Sequence, residues 1–197
     1  MKTDLLEKEE IYIIDDVIPK THQDLIEKRF CKTPITYTFN PEIGHINFRK
    51  GTNFGFSKQL KDNTYIDPLY YLIEPIAYAS LKMIDKKLSL ISLARIFTTT
   101  GGTRTKKDVL HTDSSFPHNV ILYYINDADG DTILFDLFND NPDNKTNFSS
   151  YGEEHEQKIK KSVTPKKGRV VIFNGLRYHC ATRPKKNFRS VLNFNTL

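Results

Sequence analysis

Two textures divide the chain. Up to about residue 87, apolar residues recur mostly at helical spacing, whereas from Leu88 they fall into strand-length runs separated by turn residues. The first run, Ile11 to Ile14, predicts a short strand that ends in a turn at Pro19. The spacing then predicts a helix that starts at Thr21, with Asp24 three residues on in a capping-box pattern and Leu25, Ile26 and Phe30 as its buried stripe. Residues 31–64 carry Pro34, Pro41, Gly44, Gly51 and Gly55 and read as irregular. Asp67-Pro68 marks a second helix start, with Leu72, Ile76 and Ile84 at helical spacing up to Lys87 and Pro75 expected to kink or restart it. The second half reads as strands in "LSLISLARIFTTT", "NVILYYIN", "DTILFDLF", "GRVVIFNG" and "FRSVLNFN". The polar stretch from Asn139 to Ser162, and residues 98–110, read as insertions or lids at the mouth of a site.

A helical first part followed by short strands with Gly, Asn and Asp turns predicts an α+β, mainly β, chain built on a sandwich or jelly roll. The 197 residues fit one domain, with 1–90 as helix-rich support and 91–197 as the β core. Thirteen Phe and ten Tyr supply the aromatic packing, since no Trp is present. No apolar run reaches the length of a membrane span, and "MKTDLLEKEEIYIIDD" is too charged for a signal peptide. Cys31 and Cys180 make no spaced framework, so a reducing, cytoplasmic location is expected. Without a secretion signal, the Asn-X-Ser/Thr matches at Asn144 and Asn147 carry no weight. A net charge of +5 suits either an acidic partner or a merely lysine-rich surface.

The chemistry concentrates at His111-Thr112-Asp113. Residues two apart on a strand point to the same face, so both side chains can meet one ion. A third ligand should come from another strand, and His179, 66 residues after Asp113, qualifies. Two histidines and a carboxylate form the facial triad of non-haem Fe(II) oxygenases, which leaves three octahedral positions for a chelating cosubstrate and dioxygen. Other readings stand beside this one. A His-X-Asp arises by chance, and His179 can be a hydrogen-bonded edge residue. His118, seven residues from His111, can replace Asp113 as a ligand. His22, His45 and His155 read as structural or solvated, and Cys180, pointing away from its neighbour His179, as a packed thiol. Arg189 lies ten residues past His179, and positions 189, 191, 193 and 195 share one strand face. A buried guanidinium there needs a partner, which a carboxylate-bearing ligand supplies through a two-pronged pair.

From about Leu93 to Asn195 the chain resembles the Fe(II)/2-oxoglutarate-dependent dioxygenase superfamily, in its prolyl-4-hydroxylase-like branch. The matching segments are "HTD", "ILYYIN", "DADGDTILFD", "PKKGRVVIFNGLRYH" and "RSVLNFN", in that order, and the short form is similar to phage-encoded members. The resemblance implies a double-stranded β-helix with helices packed on one side and ferrous iron on His111, Asp113 and His179. It implies 2-oxoglutarate as cosubstrate, with its far carboxylate on Arg189 and on Tyr124 rather than Tyr123. Dioxygen is the oxidant and ascorbate a possible reductant. Asn193 lines the cosubstrate pocket, and Arg95 or Phe97 the opposite wall. Hydroxylation of a peptide, protein or small-molecule substrate, with release of succinate and carbon dioxide, is the implied activity. A host-cytoplasm location follows if the chain is phage-encoded. The family's frequent Gly-Gly pair is replaced here by Asp129-Gly130-Asp131, which alters a turn and not a ligand.

Three other functions compete. Basic stretches at 103–107, 165–167 and 183–186 would suit a nucleic-acid dealkylating oxygenase, although "RSVLNFN" lacks the second arginine that such enzymes carry. A non-catalytic jelly roll, such as a virion component, and a cupin-like metalloenzyme with another cofactor complete the set. Oligomeric state is not written in the sequence.

Overall fold

The last strand-forming segment, "FRSVLNFNT", organises the molecule. In the computed structural model, which describes residues 4–40, 54–101, 110–140 and 157–197, it lies at the middle of a seven-stranded antiparallel sheet. The strands are β1 (Ile11–Asp15), β2 (Thr38–Asn40), β3 (Gly55–Lys61), β4 (Ile91–Thr100), β5 (Asn119–Tyr124), β6 (Thr132–Phe138), β7 (Ile159–Val163), β8 (Arg169–Asn174), β9 (Arg177–Ala181) and β10 (Phe188–Thr196). The large sheet runs β1-β8-β5-β10-β4-β3-β2, and a small sheet runs β7-β6-β9. His111 extends the small sheet by a single bridge to His179, with backbone bonds of 3.0 and 2.9 Å in both directions.

Strand alternation sorts the apolar residues into layers. On the outer face of the large sheet, Ala94, Ile96, Ile121, Tyr123, Val170, Ile172, Leu192 and Phe194 pack against the helices. On its inner face, Val120, Leu122, Tyr124, Val171, Phe173 and Val191 meet Leu134 and Val163 of the small sheet. Tyr123 and Tyr124 therefore point into different cores. Cys180 packs with Leu110, Ile133, Phe135 and Tyr178 on the far side of the small sheet, away from His179. The result is the two-sheet, helix-backed architecture expected for a double-stranded β-helix.

Two helices, α1 (Lys20–Glu27) and α2 (Tyr70–Lys82), cover the large sheet. A π-helical turn at Lys28–Lys32 continues α1 and brings Phe30 into the core. No capping box forms at Thr21. Pro19 precedes the helix without a side-chain cap, and the Asp24 carboxylate instead accepts from Lys167 Nζ at 2.6 Å. Leu25 is 51% exposed, not part of the stripe. Its place is taken by Gln23, which is fully buried because its amide donates to Asp16 Oδ1 and to the Ile18 carbonyl. At α2, Asp67 Oδ1 accepts from the Leu69 amide at 2.9 Å, but the helix itself begins at Tyr70. It runs through Pro75 without interruption and stops at Lys82, before Ile84.

The stretch 31–64 is not wholly irregular, since it contains β2 and β3, with β3 paired to β4. Likewise the end of the polar stretch after Asn139 forms β7, paired to β6. His45, His155, Asn144, Asn147, the basic 103–107 segment and most of both lid-like stretches lie outside the described residues. Among the described residues, no helix is long and apolar enough to cross a membrane.

Candidate metal and dicarboxylate site

The inner faces of the two sheets supply the polar groups of the site. On β9, His179 stands opposite Leu134 of β6, and the bridge from His111 sets the two imidazoles side by side, with ring centroids 4.5 Å apart. Two residues beyond His111, Asp113 turns its fully buried carboxylate to the same point. One ligand atom from each of His111, Asp113 and His179 lies within 4.8 Å of the others, and Asp113 Oδ2 stands 4.0 Å from His179 Nε2.

Electrostatics prepare these groups as donors. His179 Nδ1 faces the Arg177 carbonyl at 3.2 Å, which assigns it the proton and leaves the Nε2 lone pair toward Asp113. Burial, with His111 alongside, pushes the His179 pKa down to about 4, so the ring is neutral at physiological pH. Burial alone would raise the Asp113 carboxyl. The Arg95 guanidinium, the two histidines and the Asn193 amide outweigh it and hold the carboxyl well below the usual range. Both carboxylate oxygens are engaged, Oδ1 by Arg95 Nη2 and Oδ2 by Asn193 Nδ2 at 2.9 Å. Asn193 and Arg95 are register partners across β10 and β4, so both face inward above Asp113. The structure thus sets Asn193 on the Asp113 carboxylate, on the inner face where the sequence had it lining a cosubstrate pocket.

Farther along the same face of β10, Arg189 is only 5% exposed. Its Nη2 donates to Thr132 Oγ1 at 2.7 Å, and the Tyr124 hydroxyl donates to that same oxygen at 2.7 Å. The guanidinium carbon lies 5.6 Å from the centre of the Tyr124 ring. Thr132 was not singled out in the sequence. A hydroxyl accepts two hydrogen bonds and donates one, so with both acceptor sites filled its proton is turned outward as a donor. Arg189 Nε is buried without a partner, as is the hydroxyl of Thr99, the register partner of Arg189 on β4. Buried donors with no acceptor are expensive, and a carboxylate satisfies several at once.

The donor sets suit the two groups that the resemblance implies. Two imidazoles and one carboxylate suit a divalent transition metal. The orphaned donors around Arg189 suit the free end of a dicarboxylate. Other expected candidates lie elsewhere. His118 is buried, contacts the Phe116 carbonyl through Nδ1 at 2.7 Å, and is not in the metal-ligand cluster. His22 Nε2 meets the Leu72 carbonyl at 2.7 Å and ties α1 to α2. Arg183 is buried over the Phe54 ring, and Lys166 and Lys167 are paired with Asp15, Asp24 and Glu27 beside α1. Lys185 and Lys186 of the third basic stretch are exposed, and 103–107 lies outside the described residues.

No protein-family model and no curated protein matches the sequence. The fold does match solved structures. A 2OG-Fe(II) oxygenase family oxidoreductase from Burkholderia pseudomallei superposes with a TM-score of 0.61 at 11% identity, over 94% of this chain and 84% of that one. A viral collagen prolyl hydroxylase from Paramecium Bursaria Chlorella virus-1 gives 0.55 at 10% identity, over 94% of each chain. An alpha-ketoglutarate-dependent epimerase of nogalamycin biosynthesis gives 0.63 at 11% identity, over 96% and 78%, and has also been solved with Fe3+ and alpha ketoglutarate bound. The chain therefore has the double-stranded β-helix fold of the 2OG-Fe(II) oxygenases.

Proposed function

We propose that this chain is an Fe(II)- and 2-oxoglutarate-dependent oxygenase that hydroxylates a peptide or amino-acid side chain. The observation that carries the reading is the convergence of two chemically distinct sets between the same two sheets. The His111–Asp113–His179 cluster is one, and the Arg189–Thr132–Tyr124 group is the other. The fold alone does not require a buried arginine with an unmet Nε behind a metal-competent triad.

In this reading His111, Asp113 and His179 would hold ferrous iron, since two imidazoles and one carboxylate suit that ion. Arg189 and the Thr132 proton bind the far carboxylate of 2-oxoglutarate, while Tyr124 keeps Thr132 turned toward it. When bound there, iron with 2-oxoglutarate would supply the dioxygen chemistry, in which the cosubstrate is converted to succinate and carbon dioxide and one oxygen atom goes to substrate. The protein orients these groups and, through Val191, Phe173 and Leu134, keeps water from the buried side of the site. Ascorbate would sustain turnover by keeping the iron ferrous. The whole chain works as one catalytic unit, with the part through residue 90 supplying both helices and three strands of the large sheet. Cys31 and Cys180 form no disulfide, which suits a reducing compartment such as the cytoplasm. The collagen prolyl hydroxylase among the similar folds supports a peptide substrate, whereas the epimerase marks stereochemical inversion as the alternative outcome on this scaffold.

The test has two stages. Anaerobic mixing with Fe(II) and 2-oxoglutarate should give a weak visible charge-transfer band that Asp113→Ala and His179→Ala abolish. Admitting oxygen with pools of peptides, amino acids, metabolites or nucleic acids should release succinate with one pool above the uncoupled background. Product mass then distinguishes a gain of one oxygen from epimerisation. A colourless mixture with no succinate from any pool would defeat the proposal.

A further inference from the structure

Arg95 is held against the metal-ligand carboxylate. Its Nη2 donates to Asp113 Oδ1 while Asn193 occupies Oδ2, so a cation approaching Asp113 meets a carboxylate already engaged on both oxygens. The guanidinium carbon lies 4.8 Å from the centre of the Phe97 ring, which steadies the side chain from the same strand. The Asp113 side chain is fully buried, whereas that of Arg95 is a quarter exposed. Arg95 therefore caps the carboxylate on its solvent side. Arginine does not deprotonate in proteins, so this positive charge persists whatever else is bound.

The charge count follows from the side chains alone. Asp113 contributes one negative charge, Arg95 cancels it, and Arg189 adds one positive charge nearby. A divalent ion entering by itself adds two positive charges to a buried pocket that is already positive. Like charges at this range in a poorly solvated site repel strongly. A dicarboxylate brings two negative charges and offsets the ion.

We propose that Arg95 makes metal binding conditional on the dicarboxylate: it competes for Asp113, so a divalent cation alone is held weakly and 2-oxoglutarate restores the affinity. This rests on the oxygenase reading and adds a positioning residue that couples the two ligands. Coupling is reciprocal, so the metal strengthens 2-oxoglutarate binding by the same factor.

Mn2+ serves as the probe, because its free aqueous ion gives an electron paramagnetic resonance signal that disappears on binding. Binding to the full chain is titrated with and without 2-oxoglutarate, with no turnover involved. Arg95→Met keeps the stem over Phe97 and removes the charge; Mn2+ alone should bind about tenfold tighter than to wild type, and the enhancement by 2-oxoglutarate should shrink by the same factor. Arg95→Lys keeps the charge and should retain the wild-type enhancement. Arg95→Gln makes the same comparison if the methionine variant does not fold. Mn2+ affinity within twofold of wild type in the uncharged variants, or a lysine variant that behaves like them, overturns the inference. So does a wild-type Mn2+ affinity that 2-oxoglutarate leaves unchanged, a measurement that needs no variant. Failure of the oxygenase reading looks different: Mn2+ would not bind wild type even with 2-oxoglutarate, or would bind Asp113→Ala equally well.

Discussion

Thr132 carries the sharpest prediction at the scale of single residues. Its hydroxyl accepts from both Tyr124 and Arg189, so its own proton is aimed rather than free to rotate. Thr132→Val preserves shape and removes the hub, leaving two buried donors unmet and one donor to the dicarboxylate missing. The 2-oxoglutarate KM should rise about tenfold, or about 1.4 kcal/mol, with a much smaller change in kcat. An unchanged KM would mean that Thr132 orders the pocket without touching the ligand. The triad was legible in the sequence because strand periodicity puts His111 and Asp113 on one face, and because few histidines sit where a second strand could deliver a partner. Arg189 was legible because a guanidinium on the buried face of a strand demands an anion. Thr132 was not, and Arg95 was named only as an alternative to Phe97 for a pocket wall, because their roles depend on register. Thr132 faces the site only through the pairing of β6 with β9, and Arg95 reaches Asp113 only because it stands opposite Asn193. Asn193 was placed on the inner face, and its bond to Asp113 was not foreseen for the same reason.

At the scale of elements, the turn between β5 and β6 shows how closely two backbones are fitted. A Cβ at Gly130 would sit 2.5 Å from the Thr182 carbonyl oxygen and 2.8 Å from the Pro184 nitrogen, both main-chain atoms that cannot swing aside. The same junction is pinned by the Thr182 amide on the Asp131 carbonyl at 2.8 Å and by the Lys185 amide on Asp129 Oδ1 at 2.8 Å. Gly130→Ala should therefore destabilise by about 2 kcal/mol, which at this size lowers Tm by roughly 4–8 °C in a calorimetric scan. A wild-type Tm would show that the junction yields cheaply. Strands β4, β5, β6, β8 and β10 were readable because their apolar runs are long and bounded by turn residues. Strands β2, β3 and β7 were not, because "TFN", "GFSKQLK" and "IKKSV" carry little apolar pattern of their own and are strands because a neighbour offers them hydrogen bonds. The two helices were found but their ends shifted, since Asp24 pairs with Lys167 across the fold and does not cap its own helix.

For the molecule as a whole, the buried histidines make stability depend on acidity in a defined direction. Burial, with His111 beside it, pushes the His179 pKa down to about 4, and burial also lowers that of His118, whose Nε2 has no partner. In the unfolded chain both return to near 6.5. Above that pH both states carry neutral rings and the folded state keeps its full stability. As pH falls from about 6.5 toward about 4, the unfolded chain takes up protons that the folded chain refuses, and stability drains away through that window. His179 alone accounts for about 3 kcal/mol, a large share of the 5–15 kcal/mol typical of a folded domain. Asp113 adds to the loss only toward the acidic end: its carboxyl is held below the usual carboxylate range, so its contribution fades from about pH 5 downward, as the unfolded carboxyl protonates. Thermal scans of the metal-free chain should therefore show Tm falling by roughly 6–12 °C from pH 7 to pH 4. His179→Gln, which cannot titrate, should flatten much of that slope. A divalent metal bound to the neutral imidazoles should raise Tm at pH 7 and lose its effect on acidification, because protons and metal compete for the same lone pairs. A Tm that stays level between pH 7 and pH 4 would mean that His179 and His118 are protonated as easily in the folded chain as in the unfolded one, and would overturn the prediction.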